Sequence, residues 1–292
     1  MFPAVRTSQE VFRKRPKWEL ADIFRLHGNE YRHGNSLPLS HLKVMHSIDV
    51  CRTAYLGGHV EKCDSCGFEK HAYNSCRNRH CPKCQTLTKA KWLEARKSEL
   101  LPAGYFHTVF TLPHELNPLA LCNKKTVFGI LFKAASETLV QFGKNNLGGK
   151  LGFLCILHTW DQTLMDHFHL HCVIAGGVLS FDKNKWISAR DNFLFSVRAL
   201  SVVFRAKFTD YLKKAFSKGD LIFPGKTLPL ANEKEFSTFI KTLKDKNWVV
   251  YCKKPFAGPE QVLDYIGRYT HRVAISNNPE YVNDFETPLV CI

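Results

Sequence analysis

Apolar residues near the start of the chain recur at helical spacing. Trp18, Leu20, Ile23, Phe24 and Leu26 form one set and Leu42, Val44, Met45 and Ile48 another, so the first fifty residues predict helices with polar breaks. From about Cys51 to Cys84 the pattern gives way to a compact segment rich in Cys and His. Thr86 to Leu101 returns to a helix, with Leu87, Trp92, Leu93 and Leu100 apolar and Lys89, Lys91, Arg96 and Lys97 polar. The texture then changes. Tyr105–Leu112 is aromatic and β-branched, as a strand should be, and Thr126–Phe142 predicts a helix. Gly152–Trp160 and His167–Ile174 predict two strands joined by a short polar connection. Helices are expected over Phe193–Phe216, Lys234–Leu243 and Pro259–Tyr269, and strands over Trp248–Cys252 and His271–Ser276. This order predicts an α+β protein. An N-terminal helical, zinc-ribbon-like module over residues 1–100 precedes a domain over 101–292 with a central antiparallel sheet flanked by helices.

Composition narrows the function. The 292 residues are 45% apolar and include 22 Phe, enough for a packed core. Lys and Arg outnumber Asp and Glu by 41 to 26, a net charge of +15 that favours a polyanionic partner, nucleic acid first. No apolar run approaches the ~20 residues of a membrane span, and Met1–Arg15 lacks the apolar core of a secretory signal. The expected location is the cytoplasm, on the nucleoid when bound to DNA, with no membrane partner. Eleven cysteines in that reducing setting argue for metal rather than disulfides.

Two Cys-x-x-Cys knuckles, Cys63–Cys66 and Cys81–Cys84, are separated by fourteen residues and offer four thiolates to one structural Zn²⁺. Gly67 and Pro82 supply turns at each knuckle. Cys76 and His80 lie between the knuckles, and Cys51 and His59 just before them, so any of these could replace a ligand or build a second site. Arg77, Arg79 and Lys83 form a basic loop suited to phosphate contact.

The run Asp166-His-Phe-His-Leu-His-Cys-Val-Ile174 alternates at period two. His167, His169 and His171 share one face of a strand, while Phe168, Leu170, Cys172 and Ile174 share the other. Adjacent imidazoles disfavour one another's charged forms, and a metal relieves this by taking their neutral nitrogens. Histidines suit Zn²⁺ or Mn²⁺, whereas Mg²⁺ alone prefers oxygen. A further ligand or supporting group could come from His167, Gln162, Asp161 or Asp166. On the predicted helix from Pro259, Tyr265 and Tyr269 lie one turn apart on one face. A phenol, with a pKa near ~10, needs help to act as a nucleophile, and Arg268, His271 and Arg272 are close in sequence.

Several of these segments together resemble the bacterial rolling-circle insertion-sequence transposases of the two-tyrosine HUH class, the "IS-ninety-one"-like group with a transposase zinc-binding domain. They are Tyr73–Cys84, Phe110–Leu116, His158–Gln162, His169-Leu-His171 and Tyr269–Ser276. The resemblance implies that His169 and His171 hold a divalent cation, Mg²⁺ or Mn²⁺, against a scissile phosphate. It implies that Tyr265 and Tyr269 are the nucleophiles, forming a 5′-phosphotyrosine link to single-stranded or locally melted element ends. Arg268 and Arg272 join Arg77, Arg79 and Lys83 as DNA-binding candidates. The likeness fades after Asn277 and the chain stops at Ile292, which predicts a C-terminally truncated member. The competing expectation is therefore a catalytically inactive, zinc-dependent DNA-binding remnant. A zinc hydrolase built on the three histidines ranks last, because no His-Glu-x-x-His helix is present.

Overall fold

A computed structural model describes residues 18–270 apart from 162, 164 and 254–257, and gives no side chains for 87, 262, 265, 266 and 268–270. The described residues fall into two compact units that divide between Leu87 and Thr88.

In the first unit, α1 (Leu20–Gly34) and α2 (Leu39–Asp49) precede a hairpin of β1 (Gly58–Lys62) and β2 (Glu69–Tyr73). At the start of α1 the Glu19 backbone N–H donates to the Asp22 carboxylate at 2.9 Å, closing a capping box that anchors the helix entry. A small core of Ala21, Ile48, Cys51 and Cys81, with Leu20, Phe24 and Val44 against it, joins the two helices to the cysteine-bearing loops. The helix predicted from Thr86 begins at Pro82, so α3 spans Pro82–Ser98 and crosses the division between the units. Proline suits a first helical turn because its missing N–H is not needed there. The hairpin was not anticipated from the sequence. Its strands are almost wholly exposed and lack the apolar alternation that marks a buried sheet.

The second unit contains an antiparallel sheet in the order β4-β5-β3-β7, with β3 (Tyr105–Thr111), β4 (Gly149–Trp160), β5 (Asp166–Ser180) and β7 (Val250–Lys253). The short β6 (Trp186–Ser188) pairs with the far end of β5. Packed on one face are α5 (Lys124–Phe142), α6 (Val197–Ser217) and α7 (Glu233–Asp245), preceded by the short α4 (Asn117–Cys122). Phe110, Phe168, Leu170, Cys172 and Ile174 meet Leu131, Leu139, Phe204, Phe208 and Ile240 there in one large core. The other face carries a smaller cluster, Tyr105, Ile156, Val173 and Ala175, closed by Leu263 of α8 (Pro259–Thr270) with Trp92 and Leu93 of α3. Because both faces are covered, β5 is buried without interruption from Phe168 to Ala175. It also runs on to Ser180, past the expected end at Ile174. The strand expected over His271–Ser276 lies outside the described residues.

Candidate metal centres and the comparisons with known proteins

The first centre comprises four sulfurs. Cys51, Cys76, Cys81 and Cys84 place their Sγ atoms within 4.8 Å of one another. The close pairs are Cys51–Cys84 at 3.5 Å, and Cys76–Cys84 and Cys81–Cys51 at 3.6 Å. A tetrahedron with Zn–S bonds of ~2.3 Å sets its sulfurs ~3.8 Å apart, so the spacing matches a closed structural zinc site. Local structure makes this possible. Cys51 follows the end of α2, Cys81 immediately precedes α3, and Cys84 sits in the first turn of α3, where the helix dipole favours a thiolate. Arg77, at φ 52°, turns the chain so that the Asn78 N–H reaches the Cys76 sulfur at 3.4 Å, while the Cys76 N–H reaches that of Cys51 at 3.5 Å. Burial pushes the Cys81 thiol up to about 11 and the Cys76 thiol up as well, so without a cation these sulfurs stay protonated. A bound zinc ion supplies the compensating charge.

This arrangement differs from the pairing expected from the two knuckles. Cys81 and Cys84 are joined by Cys51 and Cys76, while Cys63 and Cys66 stand exposed at the tip of the β1–β2 hairpin. Sequence spacing favoured the two Cys-x-x-Cys pairs, but the long hairpin carries its tip away and returns Cys76 in its place. His80 lies outside the four-sulfur group and accepts from Arg79 Nε at 3.3 Å. His59 is exposed on β1, with Glu61 3.5 Å away. Arg77 and Arg79 are exposed, and Lys83 is ion-paired with Glu19.

The second centre lies on the face of the sheet that α8 partly covers. His158 of β4 sits directly opposite His169 of β5, and His171 follows two residues on. A register shift between His158 and Trp160 disturbs the ladder beside this rung, and such irregularities re-aim side chains. His158 Nδ1 lies 2.9 Å from His169 Nε2, which lies 3.1 Å from His171 Nε2. The proton positions follow from the neighbours. A carbonyl can only accept, so His169 Nδ1 donates to His167 O at 2.9 Å and leaves Nε2 as a lone pair. If His171 Nε2 is likewise to face a cation, its Nδ1 carries the proton and donates to His107 Nε2, 2.9 Å away. The three nitrogens then converge as neutral ligands. Burial lowers His158 to about 2 and His169 to about 4, and carries His171 well down, with neighbouring imidazoles adding to each shift. His107, behind the triad on β3, is lowered to about 4 by burial.

His167, an additional ligand candidate from the sequence, is not in this group. Its carbonyl holds His169, and its ring tilts against His114 at 5.5 Å. His158 enters instead, a residue whose role is visible only when β4 is laid against β5. Asp161 is occupied by Thr163, at 2.8 Å from its backbone N–H and 2.6 Å from its hydroxyl, and Asp166 begins β5. Tyr265 and Tyr269 lie on α8, with side chains outside the described set, as is that of Arg268; Gln162 and Arg272 lie outside the described residues. α8 itself is held to the sheet by Leu263, to α3 at Gly267, and to Lys97 through Asp264 at 2.9 Å.

Comparison with known proteins agrees with both halves of this architecture. Residues 23–112 match the family described as "Transposase zinc-binding domain", and residues 152–279 that described as "Putative transposase". The chain is 51% identical over 263 residues to the "Putative transposase y4qJ" of Sinorhizobium fredii, covering 89% of this chain and 66% of that protein. It is 27% identical over 231 residues to the transposase for insertion sequence element IS801 of Pseudomonas savastanoi pv. phaseolicola, covering 78% of this chain and 54% of the relative. It thus spans between about half and two thirds of these relatives' lengths. Among solved structures it is similar to the conjugative relaxase TrwC complexed with a 27-mer DNA, at 14% identity and a TM-score of 0.34, covering 61% of this chain and 70% of that one. A metal-bound TrwC complex gives 14% identity and a TM-score of 0.32, covering 56% and 69%. The two family matches and the 51% identical relative define the class as that of the transposases. Within that class, the chain belongs to the IS91-type family of insertion-sequence transposases.

Proposed function

We propose that this chain nicks and rejoins single-stranded element ends as an HUH-type transposase. His158, His169 and His171 hold the catalytic cation, and a tyrosine of α8 is the nucleophile. The observation that carries this reading is the convergence of three buried imidazole nitrogens on the sheet face over which α8 is packed.

A bound Mg²⁺ or Mn²⁺ ion would supply Lewis acidity at the non-bridging phosphoryl oxygens. The protein's own groups do the rest. His107 and the His167 carbonyl fix the two ring orientations, and burial of the three rings keeps their nitrogens neutral. The phenol oxygen of Tyr265 or Tyr269 attacks phosphorus. The P–O3′ bond breaks, the displaced oxygen takes a proton to become a 3′-hydroxyl, and the 5′-phosphate stays on tyrosine. The same 3′-hydroxyl chemistry run in reverse rejoins strands without an external energy source, and two tyrosines allow cleavage and transfer in sequence. The excess of Lys and Arg attracts the DNA backbone. The four-cysteine zinc holds the N-terminal module and its basic loop, with exposed Arg77 and Arg79, in shape for contact with phosphate.

The test is incubation with a labelled single-stranded element end and Mg²⁺ or Mn²⁺, followed by a denaturing gel and peptide mapping. A covalent adduct on Tyr265 or Tyr269 that vanishes in His169→Ala is the expected result. DNA binding with no adduct under any metal would leave only a zinc-dependent binding protein and overturn the catalytic reading.

A further inference from the structure

The four-cysteine site is complete without Cys63 and Cys66. Those two remain at the end of a hairpin in which every β1 residue, and all of β2 except Ala72, is exposed. A two-stranded hairpin with no buried face is marginal by itself. Its tip is nevertheless sharply formed. The Cys63 N–H donates to Phe68 O at 2.9 Å, the Gly67 N–H donates to Cys63 O at 2.9 Å, and Gly67 takes φ 69°, a left-handed turn suited to glycine. The backbone N–H groups of Cys66 and Ser65 are aimed at the Cys63 sulfur, which holds that exposed thiol below its ordinary range. Two thiols on one tight turn, with amides directed at one sulfur, make up half of a tetrahedral zinc site.

Among the described residues no third His, Cys, Asp or Glu gathers with this pair. The hairpin's own histidines are too distant, because His59 lies four residues from Cys63 along an extended strand at ~3.3 Å per residue. His71, opposite Val60, shares a rung three residues back from Cys63.

We propose that Cys63 and Cys66 bind a zinc ion jointly with the same two residues of a second copy, making the hairpin tip a metal-bridged, two-fold contact. A bidentate donor with no further ligand among the described residues finds two matching ligands on an identical chain, and a two-fold axis through the metal gives four equivalent thiolates. Charge permits the approach. The whole chain carries +15, but the hairpin from Gly58 to Tyr73 has three acidic residues, Glu61, Asp64 and Glu69, against two lysines. Lys62 and Glu69 are already paired across the strands at 3.2 Å. Phe68, 66% exposed beside the knuckle, gains apolar cover from its counterpart in the other copy.

The test uses the full chain under a phosphine reductant, in a His158→Phe/His169→Phe parent so that the three-histidine centre takes up no zinc, with zinc content measured by mass spectrometry and molar mass by light scattering. The expected result is a dimer holding three zinc ions per two chains, one in each four-cysteine site and one shared. Cys63→Ser/Cys66→Ser should return a monomer with one zinc per chain and an unchanged circular dichroism spectrum, since both side chains are exposed. Two zinc ions per monomeric chain of that parent would mean that the knuckle is completed internally, and equal metal content with and without Cys63 and Cys66 would mean that it binds none. Either result overturns the proposal, as does a zinc-independent dimer. DNA cleavage plays no part in these readouts, so they stand apart from the catalytic reading.

Discussion

His107 is the residue at which the catalytic reading is most sharply testable. It touches no proposed substrate group, yet its Nε2 lies 2.9 Å from His171 Nδ1, and as an acceptor there it would turn His171 Nε2 toward the proposed cation. His107→Phe should weaken Mn²⁺ binding by about 10–100-fold, while His107→Gln, which keeps an acceptor, recovers part of it. Isothermal titration measures both, and equal affinity across the three proteins would remove His107 from the site. The depressed pKa values make a second prediction. In the unfolded chain these histidines titrate near ~6.5, whereas His169 and His107 titrate at about 4 and His158 at about 2 in the fold. The unfolded state therefore takes up protons first. The stability present above pH ~6.5 is lost progressively as pH falls toward ~4 and below. In urea unfolding without added divalent ion, wild type should lose stability over that window faster than His158→Phe/His169→Phe. Parallel curves would contradict the buried, neutral assignment.

Among the elements, α8 matters most because it carries both tyrosines, and Leu263, Asp264 and Gly267 anchor it among the described residues. At Gly267 a Cβ would fall 2.8 Å from Leu93 Cδ2 and 3.1 Å from its Cγ. Gly267→Val should push α8 from its seat, costing about 1–3 kcal/mol of stability but lowering adduct formation by tenfold or more, since nucleophile placement is steep with distance. A folded variant that cleaves at the wild-type rate would show that the α8–α3 contact does not position the nucleophile. The β1–β2 hairpin shows the opposite case. It adds almost no buried surface, so its sequence carries no hydrophobic alternation to announce it.

On the scale of the whole molecule, two properties dominate. On the proposed function, the surplus of basic residues would make DNA binding an ion-exchange process, so affinity for single strands should fall linearly in log–log form as salt rises, at a slope of about −0.7 per phosphate neutralised. Fluorescence anisotropy across a salt series tests this, and a flat response would assign the charge another role. The zinc cluster is the other. Cys51 and Cys81 are each 1% exposed and belong to the small core that joins α1 and α2 to the cysteine loops. Cys51→Ala should therefore release zinc and unfold this module, whereas a change at Cys63 should leave it folded. Metal content and thermal melting separate the two.

Local pattern alone determined much of this protein. The period-two run over His167–Ile174 announced both a strand and its histidine face, because strand side chains alternate whatever the strand packs against. The helical periods, the thiol-rich segment and the basic charge were legible for the same reason, being properties of neighbouring residues or simple sums. Ligand sets were not. His158 meets His169 and His171 only through the antiparallel register of β4 and β5, and Cys51 meets Cys84 across 33 positions of chain only when α2 packs beside α3's first turn. Spacing along a chain limits which residues are able to share a metal. Which of them do is decided by the path of the backbone between them, and here a protruding hairpin took Cys63 and Cys66 out of one site and left Cys76 to close it.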